Sequence, residues 1–101
     1  YPADAPVDLR PRFDLAAPSP NPSTGSINFV FDIPTAAEVD LAVFDVAGRR
    51  VATLVSGTQT AGRHTIQWSA RNGRGRLPGG VYFSRLQMAG KVAVKRFVVL
   101  D

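Results

Sequence analysis

The stretch VDLAVFDVAGRRVATLV, Val39 to Val55, decides the fold. Val39, Leu41 and Val43 alternate with Asp40 and Ala42, a period of two that belongs to a strand with one buried and one solvated face. The pattern breaks at Asp45 and Gly48 and resumes in RRVATLV, so the stretch reads as strand, turn, strand. Gly48 is expected to supply a backbone conformation that a side chain would resist. Asp45 is expected to accept hydrogen bonds from the turn's amides. Arg50 reads as a solvated strand residue.

The same period runs outward in both directions. Toward the N-terminus, Ile27, Phe29, Phe31 and Ile33 alternate with Asn28, Val30 and Asp32 in a half-buried strand that Pro34 ends. Toward the C-terminus, SGTQTAG reads as a turn-rich break, and RHTIQWS places His64, Ile66 and Trp68 on one face. ARNGRGRLPGG reads as a loop in which Asn72-Gly73 supplies positive φ. Two closing strands, VYFSRLQM and VAVKRFVVL, are joined by a two-residue turn at Ala89-Gly90. No segment carries a convincing 3.6-residue period. The expectation is therefore an all-β, Ig-like antiparallel β-sandwich of about seven strands.

Residues 1–22 hold six of the eight prolines, which favours extended backbone over helix. Residues 1–18 read as a Pro-rich linker or extended arm, and residues 19–101 as the sandwich. Within the arm, RFDLAAP carries Phe13 and Leu15 on one face, the pattern of a short edge strand or of a strand donated to a neighbouring copy. The chain starts at Tyr1, which reads as a mature or excised product.

Composition removes several function classes. There is no cysteine and a single histidine among 101 residues, so a thiolate metal site, a disulfide framework and a Cys–His or Ser–His catalytic pairing are all poorly supplied. His64 is expected at a core margin. Asp32, Glu38, Asp40 and Asp45 match no calcium-loop spacing, and NGRGRLPGG lacks the Lys-Ser/Thr ending and following helix of a phosphate loop. No apolar run is long enough to span a membrane. The expectations are no enzyme activity, no cofactor, no metal, no nucleic acid and no membrane span.

Charge is divided unevenly. Residues 1–45 hold seven acidic and two basic side chains, and residues 46–101 hold ten basic and one acidic. Two readings stand: acidic early strands paired with basic late strands, or an anionic surface polysaccharide as ligand of the basic half. Trp68, Tyr82, Phe83 and Phe97 could stack sugars in a carbohydrate-binding module, although a sandwich core also consumes such aromatics.

Four motifs in fixed order carry a resemblance: NPSTGSINFVFDIP (Asn21 to Pro34), VDLAVFDVAGRRVATLV, AGRHTIQW (Ala61 to Trp68) and GGVYFSRLQMAGKVAVKRFVVL (Gly79 to Leu100). Together they resemble the type IX, or Por-type, secretion C-terminal sorting and cell-attachment domain, which is similar to the Ig-like domain of the flagellar hook-capping protein. Asn21-Pro22 matches the family's opening pair, and Asp45, Gly48, Arg49 and Val51 match its turn. Trp68 matches its tryptophan, and Gly80, Val81, Tyr82, Phe83 and Leu86 match its penultimate strand. Ser69 and Asn72 stand where the family commonly has acidic residues.

The resemblance implies a non-catalytic module, outside the cell or on the bacterial surface, recognised by an outer-membrane secretion or attachment apparatus, with Arg49 part of the recognised surface. The alternative is a self-assembling structural subunit of an extracellular fibre, with identical subunits as partners and the arm as the donated strand. Carbohydrate binding is the third reading.

Overall fold

Seven short alternating segments can bury their apolar faces only by pairing into sheets and stacking. The computed structural model, which describes residues 12–70 and 77–100, shows that arrangement. The strands are β1 (Asp14–Leu15), β2 (Ser26–Ile33), β3 (Ala37–Asp45), β4 (Arg50–Gln59), β5 (Gly62–Ser69), β6 (Gly80–Met88) and β7 (Lys91–Val99). One sheet has the order β1-β2-β5 and the other β4-β3-β6-β7, and all the strand pairs are antiparallel. This is the expected Ig-like sandwich. The positions proposed for the Asn72-Gly73 turn and for the first eleven residues of the arm lie outside the described residues.

The core forms between the two inner faces. β1 and β2 contribute Leu15, Ile27, Phe29, Phe31 and Ile33, and the facing sheet contributes Val39, Leu41, Val43, Leu86, Phe97 and Val99. An aromatic chain crosses it. Phe29 of β2 meets Phe97 of β7 edge-on at 5.5 Å, with Trp68 at 6.2 Å from Phe29 and Tyr82 at 6.0 Å from Phe97. Edge-to-face rings in this range add to simple area burial. Ser84 is the polar exception on the inner face; its hydroxyl donates to the Lys95 carbonyl at 3.3 Å.

Two turns show local chemistry setting the connections. Ala89 and Gly90 both have positive φ, 40° and 83°, the two-residue geometry that matches strand twist in a tight hairpin. The SGTQTAG segment departs from expectation: β4 runs on to Gln59, with Gly57 opposite Val39 and Gln59 opposite Ala37. Cross-strand pairing to the long β3 satisfies backbone groups that local turn composition would have left open, and the break shrinks to Thr60 and Ala61.

The N-terminal segment ties the sandwich along one side. β1 lies at the edge of its sheet, with Leu15 opposite Phe31, and Ser19 bridges to Asn28. The chain then crosses to the other sheet, where Ser23 bridges β7 in parallel: its N–H donates to the Val98 carbonyl at 2.9 Å, and its carbonyl accepts from Leu100 N–H at 2.7 Å. Leu15 is 1% exposed, so β1 belongs to the sandwich core as well as to the arm. Leu15→Ala should accordingly lower the unfolding free energy by about 2–4 kcal/mol, as a truncated buried leucine does; chemical denaturation measures this, and a value near zero would show that β1 is not seated.

Candidate functional site

The β3–β4 hairpin organises the outer face of the four-stranded sheet. Gly48 N–H donates to the Asp45 carbonyl and Asp45 N–H to the Arg49 carbonyl, each at 3.0 Å. Gly48 sits at φ 83°, so Val46, Ala47 and Gly48 form a turn closed by a left-handed residue. No atom lies within 4 Å of a β-carbon built there, so it is the backbone conformation, not crowding, that calls for glycine. One carboxylate holds the rest: Asp45 Oδ1 accepts from the amides of Ala47 and Arg49, and Oδ2 from Arg49 Nε, all at 2.9 Å. The Arg49 amide, with the Arg49 guanidinium and the Ala47 amide, keeps the Asp45 carboxyl below its ordinary value.

A second cluster lies next to it. Arg50 Nη1 and Nη2 donate to the two oxygens of Asp40 at 3.0 and 2.9 Å, and Nη1 also reaches the Thr53 hydroxyl at 3.2 Å. Arg85 Nη2 approaches Asp40 at 3.7 Å. Both guanidinium groups lie over the Phe44 ring, Arg50 at 5.3 Å and Arg85 at 4.5 Å from its centroid. The hydrogen bond from Arg50 is the main cause holding Asp40 below the ordinary carboxylate range, and the same bond raises Arg50. Arg50 is exposed at the start of β4, as expected of a solvated strand residue, and a bidentate carboxylate on β3 together with an aromatic face also fixes its side chain.

Beside these clusters the surface dips. An open depression of about 310 Å³ is lined by Phe44, Asp45, Val46, Gly48, Phe83, Arg85 and Val94, with the Asp45 carboxylate turned to its own hairpin amides and Arg49. Val46 is 73% exposed and Val94 52%, and the Nε of Arg85 is buried with no hydrogen-bond partner among the described residues. The family model of the FlgD Ig-like domain matches residues 18–91. The chain belongs to that family. No curated protein matches it.

Within this Ig-like domain the motif residues fall into separate places. Asp45, Gly48 and Arg49 build the hairpin tip, while Val51 packs against the core. Asn21 Oδ1 accepts from the Val98 amide at 2.9 Å, so the Asn21-Pro22 pair closes the β7 edge where the chain changes sheets. Pro22 has no N–H to leave unpaired there. Tyr82 and Leu86 face the core, with the Tyr82 hydroxyl donating to the Pro78 carbonyl at 2.7 Å. Gly80 and Val81 open β6, and Phe83, one residue from Tyr82, points to the opposite face and lines the depression. Leu15 is buried and Phe13 packs against the core, with Lys91 Nζ 6.0 Å from its ring.

The aromatics considered for sugar stacking do not share a surface. Tyr82 and Phe97 are buried, Trp68 packs on Phe29 at the inner margin, and only Phe83 faces outward. His64 lies where expected, stacked on Phe31 at 5.0 Å with its Nε2 2.8 Å from the Thr60 carbonyl. The four carboxylates do not converge either: Asp32 faces Arg63 at 3.4 Å, Asp40 and Asp45 are engaged as above, and Glu38 is exposed on β3. Among the described residues no group of three or more His, Cys, Asp or Glu is placed to hold a metal ion.

Sequence reasoning missed Phe44, Arg85 and Val94. The signal was present: Phe44 and Phe83 are large aromatics at positions that the alternation assigns to the outer face.

Gly48→Val should cost about 1–2 kcal/mol, the penalty of a β-branched residue in left-handed backbone, while Gly48→Asn should cost much less; thermal denaturation of both variants checks the difference. Because Asp40 and Asp45 titrate below 3.8 in the folded chain, their contribution to stability is complete above that value and is lost as pH falls through the lowered ones. Carboxyl-detected NMR titration should give both midpoints below 3.8, with the Arg49 amide shifting together with Asp45.

Proposed function

We propose that this domain is a non-catalytic sorting and cell-surface attachment module, recognised outside the cell by a bacterial outer-membrane secretion apparatus. The observation that carries the reading is the ordered set of four motifs, whose turn, Asn-Pro pair and penultimate strand each occupy a defined position on the Ig-like sandwich. Arg49 supports it further. Its Nε and amide are held by Asp45 while its side chain stays 80% exposed, which presents a fixed cation at the tip of the hairpin. A single histidine and the absence of cysteine support the non-catalytic part of the reading.

One observation favours a second reading, that of a fibre subunit. β1 is an edge strand of only two residues, short enough to be exchanged for a strand from another copy, although Ala16 and Ser19 also pair with Val30 and Asn28 along the same edge. Against this, Leu15 already fills its own core.

Fusing the whole chain to the C-terminus of a periplasmic reporter in a type IX-competent host should move the reporter to the surface or medium. Retention of a folded fusion in the periplasm would overturn the sorting reading, and filaments of the purified chain by electron microscopy would select the fibre subunit.

A further inference from the structure

We propose that the outer face of β3, β6 and β7 beside the 45–49 hairpin is a docking surface for an extended acidic peptide segment whose same-side residues alternate acidic and apolar. The register of the sheet sets this pattern. On the outer face Phe83 lies beside Arg96 and Arg85 beside Val94, while Phe44 lies beside Phe83. Along β6 the sequence of outward residues is aromatic then cationic, and along β7 it is apolar then cationic. Alternate residues along one strand are about 6.5–7 Å apart, the same spacing as in an extended chain laid parallel to it. A strand laid along this face therefore meets apolar and basic ground at its residues i and i+2.

Charge fixes the sign of the partner. Four arginines, 49, 50, 85 and 96, stand on or beside this face against two aspartates, 40 and 45. Both aspartates have their oxygens occupied, Asp45 by its own turn and Asp40 by Arg50. The unused donor capacity sits on Arg85, whose Nε is buried and without a partner and whose nearest carboxylate is at 3.7 Å, and on Arg96, which makes no ion pair among the described residues. Arg85 has no close carboxylate of its own, and an incoming carboxylate would give its guanidinium one through the part of the side chain that is exposed, 33% of it.

A peptide fits better than an anionic polysaccharide. Sugar rings stack on open aromatic faces, whereas the Phe44 ring is overlaid by two guanidinium groups. The exposed Val46 and Val94 at the margins ask instead for aliphatic side chains. The inference deepens the recognition reading and rests on it in taking a polypeptide as the partner.

The test uses the full chain and two dodecapeptides of identical composition, three repeats of Glu-Ser-Val-Ser and three of Glu-Val-Ser-Ser. In the first, Glu and Val share a face of the extended chain; in the second they fall on opposite faces. Fluorescence anisotropy should show the first binding more tightly, weakening as salt is raised. NMR shifts should cluster at Val46, Gly48, Phe83, Arg85 and Val94. Arg85→Gln should weaken binding about tenfold or more. Val46→Ser, at an exposed position, should weaken it several-fold with the melting temperature unchanged, and Arg63→Gln on the other sheet should leave it as it was. Equal binding of the two isomers, shifts on the β1-β2-β5 sheet, or no binding at millimolar peptide would overturn the proposal. So would polygalacturonate bound as tightly as the first peptide and indifferent to Val46→Ser. Peptide binding by a chain that fails to export a reporter would sink the sorting reading alone, and export without peptide binding would sink this inference alone.

Discussion

The edge-on contact of Phe29 with Phe97 is the interaction on which the sandwich turns. With no cysteine to join the sheets, the two inner faces are held together by side chains and by an N-terminal segment that pairs with a strand of each sheet. Phe29 belongs to β2 and Phe97 to β7, so their 5.5 Å contact spans the gap between sheets. Trp68 and Tyr82 extend it to either side, and both come from segments where the motifs lie. The tryptophan and tyrosine of those motifs are therefore explained first by packing. What remains for recognition is the set of residues that the core did not take up.

The crossing of that N-terminal segment completes the closure and explains the proline-rich opening of the domain. A segment that leaves one sheet edge and joins another must forgo regular pairing for several residues. Prolines at 18, 20 and 22 suit it because they have no N–H to satisfy, and Asn21 supplies a side-chain acceptor to Val98 where a backbone carbonyl is missing. Ser23 then restores main-chain pairing on both sides. The β7 edge near Val98, which would otherwise be open to another chain, is covered by the protein's own N-terminal segment.

How much of this was legible depends on the range of the interaction. Alternation in VDLAVFD and INFVFDI fixes which face is buried because a half-buried strand has a period of two, and Asp45 and Gly48 announce their turn because its geometry is local. Ser56 to Gln59 misled, since turn-prone residues were drawn into β4 by pairing with Ala37 to Asp40 of β3, residues far along the chain from the composition that suggested a break. Of the two readings of the charge halves, pairing between early acids and later bases is seen in part: Asp32 meets Arg63, and Asp40 meets Arg50 and Arg85. The identity of those partners was not legible, because it depends on strand order, and no local pattern states that β3 lies between β4 and β6.

The same strand order makes the outer face more than a solvated surface. An exposed ion pair on a sheet adds little stability, so Arg50 and Asp40 alone would be of small consequence. Placed over Phe44, however, the arginines cover an aromatic ring that would otherwise be exposed, and they keep it from becoming a flat apolar patch. Arg85 cannot serve both neighbours fully: it lies over the ring, stands at 3.7 Å from a carboxylate that already has a bidentate partner, and leaves its Nε unmatched. That imbalance arises from three strands converging, and it gives the face a definite sign and position while the core beneath it remains complete.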